Sequence, residues 1–337
     1  MGEAVVRAEG LRKVFEPFPW WLRTMVRTAI REPVVALDGV DLELEAGAVC
    51  AVIGPNGAGK STFFRIVTGL TVPTEGRATV LGMDSSTHSA ELRRHIGFMA
   101  ADDRSLFLQH SCRENLRFHG RMHGFRGPAL RAAVDDALTR VGLASVASRS
   151  GFALSAGMRA RLQLARSILH RPRVLVLDEP TSSVDPVAAA ELLDLITRLA
   201  DEDRVAVLLS SHRLEDIETL RDHVMLLDRG RVLHSGPLEV LRANWRTPRL
   251  RLRFSEAEAA RRARGILAAR KGIDAEPIGD LTLDVPVTGA PGAVLEALDG
   301  SLGHLESVSE HRVSLREVLS AITRGTARSI EDRHAVT

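Results

Sequence analysis

The sequence predicts an α/β protein built on a largely parallel sheet, followed by a smaller α+β domain. Three observations carry this. The apolar run "AVCAVIG" leads through a glycine-rich turn into the helical pattern "KSTFFRIVTGL". Residues 171–235 alternate apolar strand runs with helical segments, the pattern of a parallel sheet. Beyond about residue 246 the period changes again, to short alternating strands between capped helices. A chain of 337 residues exceeds one average domain and, with 45% apolar residues, can bury two cores. The boundaries are expected at 1–245 and 246–337.

Taken in order, residues 4–80 read as an antiparallel-rich edge plus the glycine turn. An insertion at about 16–33, "EPFPWWLRTMVRTAIREP", interrupts that edge. Arg23, Arg27 and Arg31 form one basic stripe, and Leu22, Met25, Val26, Ala29 and Ile30 form an apolar face. Two readings stand. The segment is an amphipathic helix at a membrane surface, with Trp20 and Trp21 at headgroup depth, or a helix packed on its own domain.

The glycine turn is Gly54-Pro55-Asn56-Gly57-Ala58-Gly59-Lys60-Ser61, followed by Thr62, and it fits G-x-x-x-x-G-K-[ST]. Glycines let consecutive backbone N–H groups converge on anionic oxygens, and the following helix points its positive end at them. Lys60 would reach the β- and γ-phosphates of a nucleotide, and the Ser61 hydroxyl oxygen would bind Mg²⁺. Residues 105–170 read as mostly helical, for example "SCRENLRFHGRMHG" and "PALRAAVDDALTRVG".

A phosphate cradle needs a metal anchor and a group to activate water. "RVLVLDEP" supplies both at the end of a buried strand: Asp178 for the Mg²⁺ shell, Glu179 to orient or deprotonate the attacking water. The bland reading of the two acids is a strand end capping the next helix. "LLSSHRLED" ends a third apolar run at His212, a position from which an imidazole can bond to a γ-phosphate or its water; the other reading is a surface histidine.

Leu154-Ser155-Ala156-Gly157-Met158, just before the acidic strand, resembles the signature sequence of ATP-binding cassette (ABC) ATPases. The order of glycine loop, signature, acidic strand, Asp185 and His212 is similar to that family over roughly residues 4–243. The resemblance implies a P-loop NTPase cassette with a RecA-like core, an antiparallel β subdomain and a helical subdomain, using ATP and Mg²⁺. It implies a head-to-tail homodimer in which Ser155 and Gly157 of one copy donate to a γ-phosphate held by Lys60 of the other. "TSSVDP" would cross the dimer centre with Asp185 as its acid, and Phe15 would stack on adenine or else be a core ring.

The family's glutamine after "IGF" is absent here. Ala101 takes its place, with Asp102 and Asp103 next, and Asp102 is the expected substitute in coupling. The insertion is similar to one in polysaccharide-exporter ATPases. "SLREVLSAITRG" resembles the end of daunorubicin-resistance-type exporter ATPases.

In the C-terminal domain, "RLRLRF" and "DLTLDVPV" alternate as strands, and Ser255 with Glu258 reads as a capping box before "AEAARRARGILAARKG". "PGAVLEALDGSLG" reads as helix and "LESVSEH" as strand, which together fit a small, ferredoxin-like fold.

Composition excludes several classes. A net charge of +2 gives no global basic field, so nucleic acid is not an expected partner. Cys50 and Cys112 fit no metal spacing and suit a reducing compartment. "MGEAVVRAEG" lacks the pattern of a signal peptide, and Val6 argues against myristoylation. Apolar runs stop short of the ~18 residues a membrane span needs.

The resulting expectation is the ATP-hydrolysing subunit of an exporter, peripheral on the cytoplasmic face of the membrane and serving a separate transmembrane permease subunit. The alternatives are a soluble ABC ATPase, or a nucleotide-gated scaffold that hydrolyses weakly because of Ala101.

Overall fold

A computed structural model describes residues 4–17, 32–101, 105–211, 216, 223–238, 240, 249–271, 273, 275–287, 292–298 and 304–311. Trp20, Trp21 and the insertion's apolar face, Asp102, Asp103, His212 and "SLREVLSAITRG" lie outside the described residues. The chain divides into two compact units, 1–238 and 239–337.

The first unit holds two sheets. One has four strands in the order β2-β1-β4-β5: β1 (Ala4–Phe15), β2 (Val34–Glu45), β4 (Glu75–Val80) and β5 (Met83–Asp84). All its pairings are antiparallel. The other sheet has six strands in the order β10-β9-β3-β8-β7-β6. These are β3 (Val49–Ile53), β6 (Ile96–Met99), β7 (Val174–Asp178), β8 (Ala206–Ser211), β9 (His223–Asp228) and β10 (Arg231–Pro237). Only the β9–β10 pair is antiparallel.

Strands β3, β7 and β8 are buried at every residue. Parallel strands covered on both faces read as continuous apolar runs for this reason. Helix α1 (Lys60–Val67) lies in the core between the two sheets: its Phe63, Phe64, Ile66 and Val67 pack with Leu11, Leu37, Val52, Val176 and Met225.

The helical region contributes α2 (Ser89–Leu92), α3 (Cys112–Met122), α4 (Gly127–Arg140), α5 (Ala156–Ile168) and α6 (Pro186–Asp203). A full capping box opens α3. Ser111 Oγ accepts from Glu114 N (3.2 Å), and the Glu114 carboxylate accepts from Ser111 N (2.8 Å).

Among the described residues, the second unit is a four-stranded antiparallel sheet in the order β12-β13-β11-β14 with two helices. In chain order these are β11 (Arg249–Phe254), α7 (Ala257–Lys271), β12 (Glu276–Pro277), β13 (Thr282–Pro286), α8 (Gly292–Ala297) and β14 (Leu305–His311). Leu250, Leu252 and Phe254 alternate inward and meet Ala263, Leu267 and Val294 in a separate core. The Ser255 hydroxyl donates to the His304 carbonyl (3.3 Å), two residues before the helix begins. Among the described residues, no helix is long and apolar enough to cross a membrane.

Candidate functional site

The glycine turn joins β3 to α1, and its glycines are required by contact as well as by backbone angle. Gly59 has φ 108°, and a Cβ there would lie 2.4 Å from the Ala36 carbonyl oxygen. A Cβ on Gly54 would lie 2.1 Å from the Leu227 carbonyl oxygen. The turn is therefore pressed between β2 and β9 at distances only glycine tolerates. The first bond within α1 runs from Phe63 N to Gly59 O (2.9 Å), so the amides of Lys60, Ser61 and Thr62 precede the helical ladder. No side chain caps this terminus, and no acid occupies its first turn. Unspent donors and the helix dipole favour an anion there.

Lys60 is buried, and its Nζ donates to the carbonyls of Gly54 (2.7 Å) and Pro55 (3.2 Å). Burial pulls the amine below its ordinary pKa, while the Glu179 and Asp178 carboxylates oppose that shift.

A cavity of about 620 Å³ opens over the turn. Asn56 through Thr62 form its floor, Asp178, Glu179 and Ser182 one wall, and Val34, Val35 and Ala36 another; Ala101 also lines it. The sequence-predicted Lys60, Ser61, Asp178 and Glu179 are thus brought together. Gly54 and Pro55 do not face the cavity but hold the lysine.

The acid pair is positioned by a residue that sequence reasoning missed. Ser210 Oγ donates to Asp178 Oδ1 (2.6 Å) and accepts from Glu179 N (2.9 Å). The pairing of β7 with β8 sets Asp178 and Ser210 side by side. Glu179 has φ 55°, a left-handed conformation costing a non-glycine residue about 1–2 kcal/mol. The Ser210 bond holds its backbone in that turn. Thr181 and Ser211 both donate to the buried Asp216 carboxylate and tie down the loop after Glu179. The available signal was "LLSS": buried hydroxyls at a strand end must find partners.

The remaining expected residues lie elsewhere. Phe15 does not line the cavity; Lys13 Nζ sits 5.1 Å from its ring centroid, and its strand partner Val34 faces the site instead. Ser155 caps α5, its hydroxyl accepting from Met158 N (3.2 Å). Asp185 caps α6, accepting from Ala188 N (3.0 Å), with Pro186 as the first helical residue. Gly157 is where these helices touch, since a Cβ on it would lie 2.8 Å from Ala188 Cβ. Ser155, Gly157 and Asp185 do not line the cavity.

The family model described as ABC transporter matches residues 37–182. Over 294 residues the chain is 35% identical to the daunorubicin resistance ATP-binding protein DrrA3 of Streptomyces coeruleorubidus, covering 86% of this chain and 91% of that protein. It is 36% identical over 242 residues to the probable multidrug ABC transporter ATP-binding protein YbhF of Escherichia coli (strain K12), covering 72% of this chain but 39% of that relative. The chain thus spans well under half of YbhF.

Among solved structures, cbiO1 from Clostridium perfringens, part of the ABC transporter complex cbiONQ, aligns with a TM-score of 0.61 at 25% identity over 80% of this chain and 96% of that one. A dimeric post-hydrolysis state of the cassette MJ0796 bound to ADP and Pi shares the fold, with a TM-score of 0.59 at 23% identity over 69% and 98% of the two chains.

Proposed function

We propose that this chain, which belongs to the ABC transporter ATP-binding proteins, a family of ATPase cassettes, powers export through separately encoded membrane subunits. One observation carries the reading: a buried lysine, a ladder of free amides and two carboxylates share a single cavity. The names of the relatives favour a drug-like cargo, which would contact the membrane subunits and not this chain.

The residues fit a magnesium nucleotide. Glycines leave room where a Cβ would collide, and the donors facing the cavity beside Lys60 are the hard oxygens of Ser61 and Asp178. The amides of Asn56, Gly57, Gly59, Lys60, Ser61 and Thr62 and the Lys60 ammonium would bind the β- and γ-phosphates, the Ala58 amide being held by the Pro55 carbonyl (3.1 Å). Ser61 and Asp178 would hold Mg²⁺, which when bound neutralises charge on the phosphate oxygens. Glu179 takes the proton from the water that attacks the γ-phosphorus as the bond to the β-phosphate oxygen breaks. Ser210 keeps that carboxylate's backbone fixed. His212 is proposed as a further contact to the γ-phosphate.

Because Ser155, Gly157 and Asp185 lie outside the cavity, we propose that a second copy of the cassette supplies them head to tail. The working location would be the cytoplasmic face of a membrane.

Calorimetry and size-exclusion chromatography test this. Lys60→Ala should weaken magnesium-ATP binding about 100-fold or more. Glu179→Gln should bind ATP, lose hydrolysis by about 10²–10⁴-fold and elute as an ATP-dependent dimer. Unchanged ATP affinity in Lys60→Ala would refute the site. A Glu179→Gln protein that behaves like wild type would favour a weakly hydrolysing scaffold.

A further inference from the structure

Asp216 carries a buried carboxylate that the reaction proposed above leaves without a task. It is 3% exposed, and the two hydroxyl residues at its Oδ2, Thr181 and Ser211, are each 1% exposed. Thr181 Oγ1 donates to that oxygen at 2.5 Å and Ser211 Oγ at 2.9 Å. Burying a carboxylate costs free energy unless it is well bonded. Hydrogen bonds to an ionised oxygen are shorter than neutral ones and roughly twice as strong. A carboxylate at this position therefore makes a stiff link between the chain leaving β7 and the end of β8.

The link sits where the backbone is hardest to hold. Glu179 is left-handed, with φ 55°. Its own amide donates to Ser210 Oγ (2.9 Å), but the next residue is Pro180, which has no amide to donate. Thr181 is the first residue beyond that gap, and its hydroxyl supplies the next anchor. Two bonds close the turn from inside: Ser182 N to Glu179 O (3.2 Å) and Val184 N to Thr181 O (3.1 Å). Glu179 and Ser182 both line the cavity over the glycine turn, whereas Thr181 between them does not.

Strand β8 supplies both anchors. Successive residues of a strand point to opposite faces, so Ser210 and Ser211 leave the end of β8 in opposite directions. Ser210 bonds Asp178 Oδ1 and the Glu179 amide. Ser211 reaches the same segment indirectly, through Asp216 to Thr181. The chain leaving β7 is thus held at the Glu179 amide and again two residues on.

We infer that Thr181 and Asp216 are positioning residues for hydrolysis: their bond fixes the Glu179 carboxylate in the orientation from which it takes the proton of the attacking water. This rests on the role of Glu179 proposed above. Neither residue lines the cavity that holds Lys60, so the pair acts on the chemical step and not on nucleotide affinity. Misplacement of a reacting group by about 1 Å can cost about 10²-fold in rate.

The test measures steady-state and single-turnover hydrolysis and magnesium-ATP affinity in the full chain. Thr181→Val keeps the shape of the side chain and loses its hydroxyl. It should lower kcat about tenfold or more and leave the ATP Kd within about twofold. Thr181→Ser, which restores a donor, should recover most of the rate. In the Glu179→Gln background, Thr181→Val should leave the residual rate unchanged, because a residue acting through Glu179 has nothing left to position. Ser211→Ala frees the same carboxylate oxygen from β8 and should reproduce the pattern; it carries the test where Thr181→Val does not fold. A normal kcat in Thr181→Val, or an equal loss with and without the Glu179 carboxylate, overturns the inference. So does an ATP affinity that falls in step with kcat. Wild-type hydrolysis in the Glu179→Gln parent instead overturns the role of Glu179, and the inference with it.

Discussion

Helices α1 and α5 both begin at a glycine-bearing turn, and the two turns are built in opposite ways. At α1 no side chain caps the helix, and its amides open into a cavity walled by the same chain, with Lys60, Asp178 and Glu179 around it. At α5 the Ser155 hydroxyl already accepts from Met158 N, and the residue is exposed and does not line the cavity that holds Lys60. The glycines differ too. Gly59 is needed for its backbone angle and for its approach to a carbonyl, whereas Gly157 is needed because Ala188 leaves no room. The first turn opens its amides into a cavity of its own chain; the second presents a capped helix start at the surface.

Substitutions at Ser155 should break that comparison most sharply. Aspartate caps helices about as well as serine, so Ser155→Asp should keep the melting temperature of wild type. A carboxylate facing a phosphate removes a donor and adds repulsion, so hydrolysis should fall about 100-fold or more. Ser155→Ala should show the converse bias, losing about 1 kcal/mol of stability with the cap. Steady-state hydrolysis and thermal melts separate the two. Wild-type turnover in Ser155→Asp would mean that the turn never meets a phosphate.

The glycines give the next largest effect. Gly157→Ala overpacks a side-chain contact, a kind of change that costs about 1–3 kcal/mol, and Ala188→Gly should relieve it in the double variant. Gly59→Ala should be worse and should resist any single compensating change. Its new Cβ meets a backbone oxygen at 2.4 Å, and its φ of 108° disfavours any side chain. Denaturant titration of the four proteins orders these costs. A Gly59→Ala chain as stable as wild type would contradict the described close approach.

The contrast between the turns also explains what was legible beforehand. Lys60, Ser61, Asp178 and Glu179 follow or end apolar runs, where local pattern fixes both the element and where it stops. The fold class followed for the same reason, because β3, β7 and β8 are uninterrupted apolar strands. Ser210 and the Val34–Val35 wall were not legible, because each depends on which strands become neighbours. Strand β3 pairs with β8 and β9, more than 150 residues away in the chain, and no local period encodes that choice. Asp185 was read as a loop acid although Asp185-Pro186 has the form of a helix start, and the structure uses the side chain as that cap.

The smallest expected effect concerns acid. His123 ends α3, His170 follows α5, and their rings stack at 4.1 Å with 9° between planes. His170 Nε2 lies 3.1 Å from the Ile96 carbonyl oxygen, tying the end of α5 to β6. Burial, then the neighbouring His123, pushes the His170 pKa down from 6.5 to about 4, with His95 adding to the fall. Burial and Arg166 lower His123 as well. The unfolded chain therefore binds more protons in the window between the two His170 values. Stability from this pair is complete above pH 6.5 and drains away as pH falls toward 4.

Helix α5 carries Ser155 at one end and this stack at the other, whereas among the described residues no histidine lines the cavity over the glycine turn. Lowering the pH from 7 to 5 should thus raise amide exchange in α3 and α5 before it does so in α1. His170→Phe, which keeps a flat ring but cannot take a proton, should flatten that response. Equal acid sensitivity in α1 and α5, or an unchanged slope in His170→Phe, would show that the two turns share one fate and that their separate construction has no consequence for stability.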